Sequence, residues 1–510
     1  MNTIDPVRRR LLRAMPAAGL GTLLGANLLA DFLRDANAAG NGSYKALVCI
    51  RLGGGNDAFN TVLATDPDSW SRYQTARNTG DDPIALLGPG AAAVAADAIS
   101  PLNGRVVARS TPEFFGGVLP IVPKTRQTVP GSSSSAARTF ALHPLLGSLQ
   151  SLFQAGRLAV VANVGTLVAP VTKSQVLANT AALPRNLYSH NDQSAMWEAG
   201  QNPGFPYGWG GQMADFSLAG NGAHSIFTSV SLAGAATFLN GRTANQYQVD
   251  RDIGAATIAL DGDLAGFATA IQGVAGAANS SNFLATTYGG IVQRSIGAAS
   301  TLGDALASGA AATIAAPPPM TQPVTGATMS NPLATQLRMV ARMIAAAGAL
   351  GLRRQVFIVN LGGFDQHSLQ NSAHPPLLAQ VDHGLAYFDR TLASVGGVDM
   401  RANVTAFTVS DFGRTFASNG DGCDHGWGGH HFVLGGSVKG GDLYGAFPTL
   451  GVDAGSFINP DAVNNGVLIP TVAVDQYAAT LAAWFGLDSA ALATIFPNLG
   501  RFARSNLGFL

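Results

Sequence analysis

Three aspartates in this chain each stand just beyond a short apolar run. Asp57 follows Lys45–Leu52 and a glycine turn, Asp365 follows Gln355–Leu361 and Gly362-Gly363, and Asp411 follows Val404–Val409. Apolar runs of that length read as buried strands. Ligands of open α/β sheets bind outside the carboxyl ends of the strands, so parallel strands would bring the three carboxylates to one rim. Six of the nine histidines lie from His367 onward. Asp365-Gln366-His367 sets an acid and an imidazole two apart on a turn. Asp424-His425-Gly426-Trp427-Gly428-Gly429-His430-His431 offers a carboxylate and three imidazoles in a glycine frame. Carboxylate with neutral imidazole suits a divalent metal such as zinc, manganese or iron. Each piece also has a plainer reading. Asp57 could bond its own turn, Asp365 and His367 could form a structural turn, and Asp411 could cap a helix or pair with Arg414. His425, His430 and His431 could be ordinary loop or strand-start residues. His374 and His383 are read as non-ligands.

A nucleophile is sought at Ser189-His190-Asn191-Asp192-Gln193, which opens a helix running through Met196 and Trp197 to Gly200. Ser189 falls at the N-cap, beside unpaired N–H groups and the positive end of the helix dipole. That place suits an oxygen nucleophile and a bound phosphate or sulfate, or simply a cap. His190 and Asp192 are alternative ligands.

The elements that must position these groups alternate. Strands are expected at 45–52, 157–164, 226–232, 355–361 and 404–409. Helices are expected at 144–155, 332–352, 377–394 and 471–485. The stripe Leu377, Val381, Leu385, Phe388 and Leu392 marks one of them as amphipathic. Such alternation predicts a largely parallel sheet covered on both faces. Gly88–Ala98, Gly131–Ala137 and Ala307–Thr328 read as linkers, and about 200–330 as a candidate cap or inserted subdomain. Cys49 reads as a small core residue.

Composition narrows the function. The chain has 510 residues, 47% hydrophobic and only 12% charged, with 30 basic against 30 acidic side chains. Zero formal net charge provides no global field for nucleic acid or an anionic membrane. The apolar share excludes wholesale disorder, and two cysteines exclude a disulfide scaffold or a cysteine-rich zinc site. Arg8-Arg9-Arg10-Leu11-Leu12-Arg13, a weakly apolar stretch from Ala14 to Ala30 and Ala36-Asn37-Ala38 read as a twin-arginine export signal over 1–38 with its cleavage site. A Sec signal is the competing reading. Asp31, Arg34 and Asp35 interrupt the run before the roughly 20 apolar residues of a membrane span. The expected product is a periplasmic or secreted domain, 39–510, with no transmembrane anchor after cleavage and the twin-arginine translocase as its partner during export.

RLGGGNDAFN (51–60), FALHPLL (140–146), YSHNDQSAMWEAG (188–200), GGFDQH (362–367), SDFGRT (410–415) and DHGWGGHHFVLGG (424–436) resemble, in order, the family called domain of unknown function 1501. That resemblance implies membership of the alkaline phosphatase and sulfatase superfamily, hence an α/β three-layer sandwich with a metal site at the strand ends. It implies Asp57, Asp365, His367, Asp411 and His425 as metal ligands and Ser189 as the nucleophile. His190, Arg414, Trp427 and His430 are the expected substrate-binding residues. The chain departs from the family pattern at Ala58, where Gly is usual, at Asp411, where Glu is frequent, and at Cys423, where Thr is commoner. The expected function is hydrolysis of a phosphate or sulfate ester, small or polymer-borne, with zinc, manganese or another transition metal. The alternative is a non-catalytic binding or assembly protein on the same scaffold.

Overall fold

The computed structural model describes residues 44–128, 137–200, 204–251, 254–255 and 283–510. The expected export signal, most of Gly131–Ala137 and part of the 200–330 segment lie outside the described residues.

The first strand, β1 (Lys45–Gly53), shows why the sheet is central. Ala46, Val48, Ile50 and Leu52 point into one apolar core, and Leu47 and Cys49 into another. Alternate side chains face opposite sides of a strand, so both faces must be covered and the run reads as continuously apolar. The other strands of this central sheet are β2 (Leu158–Gly165), β3 (Ser229–Ser231), β4 (Tyr247–Asp250), β5 (Gly254–Ala255), β6 (Arg354–Gly362), β7 (Val404–Ser410), β8 (Gly429–Leu434), β9 (Leu443–Tyr444) and β10 (Val472–Ala473). Their order is β9-β2-β8-β7-β1-β6-β3-β4-β5, with β10 also paired to β2. β1 runs parallel to both β6 and β7, while β8 runs against β7 and β2 and β5 against β4. The fold is therefore a mixed α/β architecture on a large, mostly parallel sheet.

Helices cover both faces. On one side lie α2 (Gly147–Gln154), α5 (Phe283–Ala307), α6 (Pro332–Ala346) and α7 (Gln370–Leu392). On the other lie α3 (His190–Ala199), α4 (Trp209–Asp215) and α8 (Val474–Phe485). The short α1 (Pro67–Arg77) packs near the rim, capped by Asp66 with Pro67 in its first turn. α6 shows the local logic. Asn331 accepts from the N–H groups of Leu333 and Ala334, and Leu333, Leu337, Val340 and Ile344 form the buried stripe. Burying each such side chain contributes about 1.5–3 kcal/mol.

Several boundaries differ from the sequence expectation. α7 starts at Gln370 rather than Leu377 and contains Pro375 and Pro376. Its first turn carries buried Gln370 and Asn371, which bond Asp57 and Asp82, so no apolar stripe announces it. α6 stops at Ala346, and Val472–Ala473 is strand before α8 begins. Residues 204–255 supply α4 and the β3–β5 edge of the central sheet. That part of the 200–330 segment builds the main sheet rather than a separate cap. Cys49 is a buried core residue.

No helix among the described residues is long and apolar enough to cross a membrane.

Candidate metal centre

In register Gly53 lies opposite Gly362, and Leu52 opposite Ser410. The chain segments leaving β1, β6 and β7 therefore emerge from one rim. Gly54 has φ +115, and a Cβ there would stand 2.6 Å from the backbone nitrogen of Asp365. Glycine is what lets these two segments touch.

Asp365 is the hub. Its Oδ1 lies 3.1 Å from His367 Nε2 and 3.2 Å from His425 Nε2, and its Oδ2 lies 3.3 Å from His190 Nε2. His367 Nε2 and His425 Nε2 are themselves 2.9 Å apart. The donor atoms of His190, Asp365 and His425 all fall within 4.8 Å of one another, and His367 Nε2 adjoins the last two.

What each ring does with its other nitrogen decides the chemistry. His190 Nδ1 meets Asp411 Oδ2 at 3.0 Å, His367 Nδ1 meets Asp424 Oδ1 at 3.1 Å, and His425 Nδ1 meets the Tyr188 carbonyl at 2.8 Å. All three partners only accept, so each Nδ1 carries a proton and each Nε2 is turned toward Asp365. Three Nε2 atoms and a carboxylate oxygen thus converge on one point, a donor set that a cation can occupy. Protonating every ring instead would crowd three positive charges whose centroids are 4.6 Å (His190–His425) and 4.7 Å (His367–His425) apart. Burial, with the Arg414 and His190 charges, holds His425 below the usual histidine range against the Tyr188 bond and Asp365. Imidazoles oriented by outer carboxylates and a carbonyl are the arrangement of metal ligands.

Other groups fix this geometry. Phe412 packs against the rings of His190 and His425 at 4.7 and 4.5 Å. Tyr188 takes φ +72 to aim its carbonyl, a strained conformation for a bulky residue. Arg414 donates to Asp365 Oδ1 at 2.6 Å and to the carbonyls of Gly54 and Cys423. Burial raises the Asp365 pKa, but Arg414, then His367 and His190, outweigh it and hold the carboxyl below its ordinary value. Arg51 reaches Asp411 Oδ1 at 3.3 Å, Glu198 Oε1 at 3.4 Å and Ser194 Oγ at 3.1 Å.

A family model described as "Protein of unknown function (DUF1501)" matches residues 44–496. The chain belongs to the DUF1501 family. No curated protein matches it significantly. Among solved structures, it is similar to one titled "Crystal structure of Ps i-CgsB in complex with k-i-k-neocarrahexaose", at 9% identity, 68% coverage of each chain and a TM-score of 0.28. At that level the likeness bears on neither fold nor chemistry.

Within this DUF1501 chain the expected ligands separate. Asp365, His367 and His425 meet. His190, expected to bind substrate, joins them as a donor. Asp411 stands one bond behind, holding His190 through Nδ1 and paired with Arg51. Asp57 does not join. Arg77 grips it twice, at 2.5 and 3.0 Å, Gln370 donates to it at 2.6 Å, and it caps its own turn through Phe59 N. Burial raises the Asp57 pKa, but the Arg77 charge and hydrogen bond, with His374 and Gln370, more than reverse that.

The expected pocket lining also changes. Trp427 is buried, its Nε1 donating to the Thr166 carbonyl at 2.7 Å. Its side chain therefore packs in a small core with Leu167 and Val467 rather than lining a pocket. His430 is buried too, stacked on Phe447 at 4.6 Å and accepting from Asn163 N. Arg414 has no exposed side-chain surface and acts on Asp365 from behind. Ser189 is the helix cap. Its hydroxyl donates to Asp192 Oδ2 at 2.6 Å and accepts from Asp192 N.

The sequence reading passed over Arg51, Glu198 and the Tyr188 carbonyl. Arg51 carried a signal, a lone charge in an apolar strand just before the glycine turn. The Tyr188 carbonyl carried none, because backbone groups leave no trace in residue type.

Proposed function

We propose that this chain is an exported, metal-dependent hydrolase of phosphate or sulfate esters, on an alkaline-phosphatase-like sandwich and carried out by its twin-arginine signal. The observation that carries the reading is the set of three Nε2 atoms turned on Asp365, each ring held by an acceptor at Nδ1. The residues fit a divalent transition metal: His190, His425 and Asp365 would hold it, with His367 as a further donor. Formal charge fits as well. Asp365, Asp411, Asp424 and Glu198 face Arg51 and Arg414, and one divalent cation makes good the difference. Nitrogen-rich donors suit zinc or another late transition metal better than magnesium or calcium. Such an ion supplies Lewis-acid polarisation of an ester oxygen and offsets charge in the transition state.

The chain's own groups do the rest. Arg51 is about a third exposed, and its guanidinium matches a non-bridging oxyanion. Asp411 and Asp424 keep the His190 and His367 rings aligned. In this reading the attacking oxygen comes from solvent, with Ser189 kept as the helix cap bonded to Asp192.

The test is turnover of aryl phosphate and aryl sulfate by the metal-loaded protein and by Asp365→Asn, which leaves Arg414 an acceptor. The expected loss is at least about 100-fold in kcat/KM. The occupied Ser189 also favours a second reading, a metal-binding protein without catalysis. That reading predicts stoichiometric metal and no turnover of either ester.

A further inference from the structure

The rim that carries the imidazole group holds a second hollow. β10 runs parallel to β2. β2 points the same way as β1, because β8 runs against both β2 and β7 and β7 runs with β1. The carboxyl ends of β2 and β10 therefore open on the side where ligands of such sheets bind. Thr166 follows β2 directly, and Val474 and Asp475 open α8 straight after β10. A cavity of about 250 Å³ lies there, lined by Thr166, Met196, Gly200, Val474, Asp475 and Arg501 among others. None of these six belongs to the imidazole group. α3 stands between the two places, with His190 at its first position and Gly200 just past its last, about 15 Å at the rise of an α-helix.

Asp475 is the feature of this cavity that packing leaves unexplained. The residue is 3% exposed, and its Oδ2 has no hydrogen-bond partner. Gly200 closes on the other oxygen, where a Cβ would lie 3.6 Å from Asp475 Oδ1. Burial pushes the carboxyl up to about 7, against a bond with its own backbone. A first-turn position favours a carboxylate but does not call for burying one, and the side-chain bond to the N-cap comes from Gln476, whose Oε1 accepts from Ala473 N. A buried acceptor left open is a cost that native proteins seldom carry without use. Arg501 lines the same cavity and is exposed, its Nη1 reaching the Val168 carbonyl at 3.4 Å. It does not contribute to the charge environment of Asp475, so the cavity has an acid and a base that do not neutralise each other.

We infer that this cavity is a binding site for a small zwitterion of amino-acid size, with its ammonium group on Asp475 and its carboxylate on Arg501. An ammonium brings three donors to an oxygen that has none, and its charge favours the ionised carboxyl. A guanidinium matches a carboxylate. The volume, about 250 Å³, falls just below the ~300 Å³ at which drug-sized sites begin. Met196 and Val474 give a side chain an apolar wall. The site stands apart from the imidazole group and does not depend on the hydrolase reading.

The test is calorimetric titration of the purified protein with L-leucine and with ε-aminocaproate, whose charges stand further apart. Isoamylamine and isocaproate serve as the two halves of leucine. At least one zwitterion is expected to bind, and each half at least about 10-fold more weakly. Asp475→Asn is expected to weaken the zwitterion at least about 10-fold, as the loss of a buried charge partner implies, with Tm unchanged or higher. Arg501→Gln, on the exposed side, is expected to weaken it about 3-fold, and it keeps the inference testable should Asp475→Asn fail to fold. Amino acids also chelate metals, so the titration is repeated on His190→Ala/His425→Ala, where the same affinity is expected. Heats no larger than dilution for both zwitterions overturn the inference. So do equal affinity in Asp475→Asn, a half that binds as tightly as the zwitterion, and binding that vanishes with the two histidines.

Discussion

Asp57 and Asp365 begin alike and end differently. Each leaves a central parallel strand through a glycine turn, the strands lie side by side with Gly53 opposite Gly362, and each carboxylate meets one buried arginine. Asp57 turns inward. Its side chain is 1% exposed and its oxygens are taken by Arg77, Gln370 and Phe59 N. Asp365 turns outward, 41% exposed, with Arg414 behind it and three imidazoles in front. Motif and partner charge are therefore poor guides to role. What separates strut from site is whether the carboxylate keeps an open side after its arginine is satisfied.

The largest effect that should follow concerns the closed aspartate. Asp57→Ala strands Arg77 in the interior and should lower unfolding free energy by about 3–5 kcal/mol in urea titrations. An equally large loss of metal affinity in the folded variant would erase the contrast. On the open side, Asp424→Asn removes the acceptor charge at His367 Nδ1. It should weaken metal binding about 10- to 100-fold by competition titration, with little change in stability.

The same contrast runs through the histidines, partly open to solvent at the imidazole group but fully buried at His430 and His431. Burial pushes His430 and His431 down to about 3, assisted at His430 by Arg138 and at His431 by His430. An unfolded histidine titrates near 6.5, so below that pH the unfolded chain binds protons that the folded chain refuses. Stability should fall as pH drops from about 6.5 toward 3, by up to about 1.4 kcal/mol per pH unit for each histidine. His431→Phe, in the pocket of Trp197 and Tyr477, should flatten that slope by about one proton. An unchanged slope would place the titrating groups elsewhere. The smallest effect should be at Ser189. Ser189→Ala should cost about 1 kcal/mol as a lost cap and leave turnover within about twofold. A loss of 100-fold or more would restore it as the nucleophile.

Much of this was legible in residue order. The strands β1, β6 and β7 declare themselves as apolar runs, and Ser189 and Gly200 mark both ends of α3 by their capping chemistry, Gly200 at φ +65. Asp365, His367 and His425 could be named because acids after strands, clustered histidines and the family resemblance pointed to the same residues. The inward turn of Asp57 could not, because its partner Arg77 closes a helix with no apolar face, PDSWSRYQTAR. The sealing of Trp427 and His430 was also hidden. It depends on Thr166, Asn163 and Phe447, which reach them only across the sheet. The partner of Cys423 was equally hidden, its buried thiol donating to Gln370 Oε1 at 3.0 Å.

Elemental analysis of protein purified without chelators bears most directly on the open side of this comparison. The informative variant is His190→Ala/His425→Ala, which leaves the Asp365–Arg414 pair intact. The account predicts about one divalent transition ion per wild-type chain, and none in a variant of unchanged Tm. Metal-free, folded wild type that takes up no zinc or manganese on incubation would contradict it.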